Sequence, residues 1–92
     1  MNSQFKRGII EMCVLKMISR EDMYGFQLIE SISQEVEVNE NTVYPILRRL
    51  TKQGLFDTYT KSMNVGAPRK YYTLTDEGTL KLSEYEGEWR KF

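Results

Sequence analysis

Three amphipathic segments, a turn-separated pair of β-rich runs and a closing amphipathic segment predict an α+β fold that is mainly α. Val43, Ile46, Leu47 and Leu50 recur at helical spacing ahead of Gly54, so this stretch is a helix with one face in a core. Leu55–Lys61 and Arg69–Leu74 are rich in aromatic and β-branched residues. They flank Ser62–Pro68, where Asn64, Gly66 and Pro68 mark a turn, and so pair as a hairpin. Two further helical segments precede this pair. Three helices followed by a basic hairpin define a winged helix-turn-helix, with its third helix placed for the major groove of DNA.

The first helix is expected from about Gln4 to Ile18. Phe5, Ile9, Ile10, Met12, Cys13, Val14, Leu15, Met17 and Ile18 exceed a single stripe, so it should be nearly surrounded by protein. Met12 and Met17 read as adaptable core filler, and Cys13 as a small buried hydrophobe that has no second cysteine to pair with. Ser19–Asp22 is a connection. A second helix runs from about Tyr24 to Gln34, with Tyr24, Leu28 and Ile32 on one face and Ile29 beside them. Gly25 costs roughly 1 kcal/mol relative to Ala in a helix, which points to close approach by a neighbouring helix. Val36 and Val38 alternate with Glu35 and Glu37, a period that predicts a short edge strand.

The third helix is capped by Asn39 or Asn41, whose short side chains accept from otherwise orphaned N–H groups. Gly54 ends it in the left-handed conformation. Pro45 should lie near the first turn, where its missing N–H costs little. Opposite the apolar stripe stand Thr42, Tyr44, Pro45, Arg48, Thr51 and Lys52, a cationic, hydrogen-bonding face that reads as DNA-recognising. Thr42, Tyr44 and Arg48, joined by Asn41, are assigned to base edges and flanking phosphates, since a hydroxyl can donate to phosphate and a guanidinium can grip guanine. Arg49 and Lys52 are assigned to salt bridges or phosphates. Lys61, Arg69 and Lys70 make the hairpin a basic wing for the DNA backbone or minor groove. Thr75 caps the fourth helix, with Asp76 and Glu77 complementing its dipole. Leu82, Tyr85, Trp89 and Phe92 then follow at spacings of three, four and three, a seam suited to self-association. Residues 1–74 are thus expected to form the DNA-binding winged helix-turn-helix, and residues 75–92 a dimerisation helix on the same single domain.

Composition narrows the function further. Ninety-two residues make one domain with a core that stands alone only marginally. With 40% apolar and 28% charged residues, wholesale disorder is excluded. The longest apolar run is too short to span a bilayer, no signal-peptide pattern opens the chain, and a single cysteine fits a reducing cytoplasm. Without histidine, neither a Cys/His zinc site nor a His-activated nucleophile can be built. No phosphate-cradling glycine loop appears and no pair stands out among the thirteen acids, so no catalytic residue, metal ligand or cofactor is assigned. The formal net charge is zero, but it is unevenly spread. Residues 1–40 carry four basic and seven acidic residues, residues 41–70 six and one, and residues 71–92 three and five. The excess of positive charge sits in the third helix and hairpin, the footprint that phosphate binding needs.

Three stretches resemble the PadR family of bacterial transcriptional regulators. Tyr24-Gly25-Phe26-Gln27-Leu28 is similar to the family's Tyr-Gly-aromatic-x-Leu. Asn39 through Leu50 is similar to its Glu-Gly-Thr-Leu-Tyr-Pro-x-Leu-x-Arg-Leu, with Asn41 where Gly is usual and Val43 where Leu is usual. Gly66 through Gly78 resembles the wing-to-helix signature. The resemblance implies a homodimer joined through the fourth helix, bound to a near-palindromic operator and repressing transcription. The single short C-terminal helix resembles the smaller subfamily. In some of its multidrug-sensing members, a tryptophan on that helix and its dimer mate sandwich planar aromatic compounds, and Trp89 falls where that residue would. Plain dimer packing is the other reading of Trp89, since tryptophan is a frequent interface anchor. A winged-helix protein-interaction module without specific DNA binding is the alternative for the whole chain.

Overall fold

The computed structural model describes the backbone of residues 3–90 and the side chains of residues 5–88. Its elements are α1 (Ser3–Arg20), β1 (Met23–Tyr24), α2 (Gly25–Ser33), α3 (Glu40–Lys52), β2 (Phe56–Lys61), β3 (Arg69–Leu74) and α4 (Asp76–Arg90). The strands form one antiparallel sheet in the order β1-β3-β2. Phe56 pairs with Leu74 and Lys61 with Arg69, so the hairpin register runs the full length of both strands.

The core lies where the three N-terminal helices meet the base of the hairpin. Ile10, Val14, Leu15 and Ile18 of α1 pack with Leu28 and Ile32 of α2 and with Val43, Ile46, Leu47 and Leu50 of α3. Leu55, Phe56, Tyr72 and Leu82 close it. The apolar stripe expected on α3 is therefore the stripe that is buried. In β2 only Phe56 is buried, so the rest of the hairpin projects away from the core.

The element ends follow side-chain chemistry. Asn39 holds an extended conformation and its side chain accepts from the Asn41 N–H at 2.9 Å, which settles the choice between the two asparagines. At the other end Gly54 has φ 83°, the Leu55 N–H returns to the Leu50 carbonyl, and the Gly54 N–H returns to that of Thr51. That pair of bonds is a Schellman cap. Leu55 is consumed by it and the strand starts one residue later, at Phe56. Thr75 Oγ1 accepts from the Gly78 N–H at 3.0 Å, capping α4 as expected.

Four expectations are corrected. Val36–Val38 is not a strand. The Val36 N–H closes the end of α2 on the Ile32 carbonyl, and both valines pack half-buried on the core. Their alternation reports one-sided packing of a connector. The third strand is instead Met23–Tyr24, paired with Tyr72 and Tyr71. Tyr24, expected inside the second helix, is therefore a strand residue and the extended N-cap of α2. Pro45 lies in the second turn of α3, beyond the first turn expected for it. Its missing N–H is owed to the carbonyl of Asn41, an exposed residue where water can substitute. Helix α1 is not surrounded, since Met12, Cys13 and Met17 are only half-buried and Phe5 is 53% exposed. Burial and the charge of Glu35 push the Cys13 thiol up from its ordinary pKa.

Candidate nucleic-acid interface

The outward face of α3 divides into two stripes. Thr42, Pro45 and Arg49 turn toward the N-terminal half of α1, whereas Tyr44 and Arg48, one turn apart, turn toward the sheet. Asn41, Pro45 and Arg48 are exposed, and Thr42 and Tyr44 half-buried. Tyr44 is held rather than free. Its ring lies over Gly25, so close that a Cβ at residue 25 would sit 2.8 Å from the phenol oxygen. The helix expected to approach Gly25 is thus α3, and the group that approaches is Tyr44. Beneath it lies Tyr72, whose hydroxyl is pushed up in pKa by burial first and by Tyr44 next, with Arg48 opposing both.

The wing brings cations to the same side. Arg69 and Lys70 line a shallow depression with Tyr24, Phe26 and Tyr44. The Arg69 guanidinium lies 4.5 Å above the Tyr24 ring, within cation–π range. Lys61 stands across the ladder from Arg69, 5.5 Å from the Tyr71 ring centroid. Tyr71 is sandwiched in turn, edge-on to Tyr24 at 5.4 Å and stacked with Tyr59 at 5.6 Å. Tyr59 donates to Asp22 at 2.7 Å, tying the strand to the α1–β1 connection. These contacts restrain a hairpin that has little core of its own. Of the residues assigned to DNA from sequence, Tyr44, Arg69 and Lys70 line one depression with Arg48 near Tyr72, whereas Asn41, Thr42 and Pro45 line the cleft toward α1. Lys61 lies level with Arg69 on the ladder but on the outer strand, β2.

Arg49 is engaged inside the protein: it pairs with Glu11, a buried residue at 8% exposure. Glu11 also accepts from the Tyr85 hydroxyl at 3.0 Å, so one carboxylate joins α3, α1 and α4. Two of the four seam residues are consequently spent within the chain. Leu82 is buried at 5% exposure, and Tyr85 is half-buried on α1. The Trp89 side chain and Phe92 lie outside the described residues. Beside this seam a groove of ≈470 Å³ opens between α1 and α4, lined by Met12, Cys13, Met17 and Leu82 and crossed at its edge by the 3.0 Å Lys16–Glu86 ion pair.

Two cations assigned to nothing from sequence also stand beside α3. Lys6 and Arg7 line a cleft between α1 and α3 with Asn41 and Thr42. Their signal was an adjacent basic pair ahead of Ile10, hidden because residues 1–40 are acidic in sum. Among the described residues no helix is long and apolar enough to cross a membrane, and no cluster of three or more His, Cys, Asp or Glu could hold a metal ion.

A three-helix core that turns a cationic helix face and a basic hairpin to one side is the architecture of a winged helix-turn-helix DNA-binding regulator. The sequence profile of the Transcriptional regulator PadR-like family matches residues 14–84, and the chain belongs to that family of transcriptional regulators, which are not enzymes. Among solved structures, a PadR family transcriptional regulator from Eggerthella lenta is 39% identical, with a TM-score of 0.83 over 95% of this chain and 77% of that one. A PadR-like regulator from Bacillus cereus is 35% identical, with a TM-score of 0.86 over 97% of this chain and 88% of that one. The negative transcriptional regulator PadR of Bacillus subtilis is 22% identical over 81 residues, covering 84% of this chain and 44% of its own length.

Proposed function

We propose that the chain acts as a homodimeric repressor on a near-palindromic operator, each protomer placing α3 in a major groove and its wing on the flanking backbone. The observation that carries this is the depression that Tyr44 of α3 shares with Arg69 and Lys70 of the wing, with Arg48 exposed one turn on and the opposite stripe of α3 wholly buried in the core. Arg48, Tyr44, Thr42 and Asn41 touch base edges and adjacent phosphates. Lys61, Arg69 and Lys70 neutralise backbone phosphates. Repression is supported by the name of the Bacillus subtilis relative, a negative regulator. Dimerisation is supported by the half-exposed Met12, Cys13 and Met17 beside α4; successive half-sites on one face of DNA then require the two α3 helices to stand about 34 Å apart, one turn of the duplex. A planar aromatic effector near Trp89 rests on the family resemblance; it would act only through unequal affinity for two spacings of the recognition helices.

The test is fluorescence anisotropy with the DNA upstream of the chain's own gene against a shuffled duplex, across a range of salt. Arg48→Ala is expected to lose about 1–3 kcal/mol of discrimination between them. Arg69→Ala should weaken both equally and make the salt dependence shallower by about one. Equal affinity of the wild type for both duplexes would refute the operator reading, and a protein monomeric by sedimentation at the binding concentration would refute the dimer.

A further inference from the structure

We propose that Lys6 and Arg7 form a second phosphate clamp, gripping the DNA backbone on the side of α3 away from the wing. The proposal rests on the DNA-binding reading above and adds a contact surface to it. A helix lying in a major groove has a phosphate backbone along each of its flanks. The wing serves one flank, since Arg69 and Lys70 share a depression with Tyr44. On the other flank, the cleft between α1 and α3 has a volume of ≈640 Å³.

The lining of this cleft suits an anion. Lys6 and Arg7 supply its charge, since Arg49 on the same wall is paired with Glu11; Asn41 and Thr42 supply hydrogen-bonding groups, and no carboxylate lines it among the described residues. The nearest acid on α1, Glu11, is occupied by Arg49 and Tyr85. Lys6 and Arg7 have no ion-pair partner among the described residues and so keep their charge for a ligand. Ile10, fully buried, fixes this end of α1 in the core without them. Because Asn41 and Thr42 belong both to the cleft and to the proposed reading face, a phosphate in the cleft adjoins the bases that α3 would read. The ligand is the phosphodiester backbone of the duplex itself, contacted without regard to sequence.

The test uses the full chain carrying Lys6→Gln and Arg7→Gln together; glutamine keeps helix propensity and removes charge. Anisotropy titrations against the upstream and shuffled duplexes, at several salt concentrations, give the slope of log K against log salt. Each phosphate contact contributes about 0.9 to that slope. The variant is expected to lose one to two contacts' worth of slope, to weaken on both duplexes by the same factor, and to keep the wild-type preference between them. Lys6→Arg with Arg7→Lys, which preserves charge, should bind as wild type. An unchanged slope in the glutamine variant, with wild type binding its operator, overturns the clamp alone. A fall in preference between duplexes overturns it in favour of base reading. Failure of the wild type to bind either duplex overturns the clamp together with the reading beneath it.

Discussion

The ring of Tyr44 occupies the space that a side chain at Gly25 would need. A Cβ at residue 25 would lie 2.8 Å from the phenol oxygen and 2.9 Å from Cζ, both at the far end of a side chain that can swing. Gly25→Ala therefore has one escape that leaves the backbone in place: Tyr44 changes rotamer, and the core packing it gives up is set against the helix propensity that alanine gains. Stability should change by less than about 1 kcal/mol, within the scale of a helix-propensity difference. Operator affinity should nevertheless fall, because the residue that turns toward Tyr72 and Arg48 has been expelled. Denaturant midpoint and anisotropy on one sample decide it. Intact binding by the alanine variant would show that the seating of Tyr44 is irrelevant to DNA.

Gly78 has no such escape. A Cβ there would meet the Leu55 carbonyl, a backbone atom, and would lie 2.5 Å from Leu74 Cδ1. The same residue donates its N–H to Thr75 Oγ1 at the cap of α4, and Thr75 Oγ1 is itself within 2.7 Å of the Gly54 carbonyl. The start of α4 is thus fastened to the end of α3 and the base of the hairpin. Gly78→Ala should cost about 1–3 kcal/mol, the usual scale of overpacking. A thermal melt in which it matches wild type would mean that α4 can stand off the sheet.

Local chemistry made much of this readable in advance. The α3 stripe, the Thr75 cap, the Gly54 stop and the hairpin each depend on residues close in sequence and each appears where expected, and the α3 cap is one of the two asparagines open to that role. The approach to Gly25 was legible as a cost needing a reason, but its partner was not. What escaped depends on residues that meet only in the folded chain. Strand β1 has two residues, too few for any periodicity, and exists because β3 offers it an edge. The Val36–Val38 alternation imitated a strand because a connector crossing a core also alternates. Glu11 looked like any acid on a helix, and its value comes from Arg49 and Tyr85 arriving from α3 and α4. Lys6 and Arg7 were hidden by a charge tally over forty residues, when the relevant neighbourhood was a cleft.

The Tyr59 hydroxyl should titrate above an ordinary tyrosine. Its hydrogen bond to Asp22 is the main cause, and holding the proton between the two oxygens favours the neutral phenol. The folded state therefore binds this proton more tightly than the unfolded chain does. Its contribution to stability is fully present below about pH 10, the unperturbed tyrosine value, and is lost as pH rises through the higher folded value. Tyr59 is solvent-exposed, so the effect should be visible in titration more than in melting. Subtracting the titration of Tyr59→Phe from that of wild type isolates the group, and Asp22→Asn should move its midpoint down toward the ordinary value. An unmoved midpoint would mean that the bond does not persist in solution.

The Glu11–Arg49 pair should be costly to break from one side only. Glu11 is buried, whereas the Arg49 side chain is 42% exposed. Removing the carboxylate leaves a guanidinium that water can solvate, together with a Tyr85 hydroxyl short of one acceptor. Removing the guanidinium leaves a buried charge held by the Tyr85 hydroxyl. An uncompensated buried charge costs more than an exposed one. Arg49→Ala should thus destabilise by about 2–3 kcal/mol and Glu11→Gln by about 1 kcal/mol, with Glu11→Gln restoring part of the loss when added to Arg49→Ala. Chemical denaturation of the four proteins completes the cycle. The decisive quantity is the sign of the coupling: a double variant less stable than Arg49→Ala alone would mean that Glu11 is solvated well enough to stand unpaired, and that α3 and α4 do not depend on it for their shared anchor.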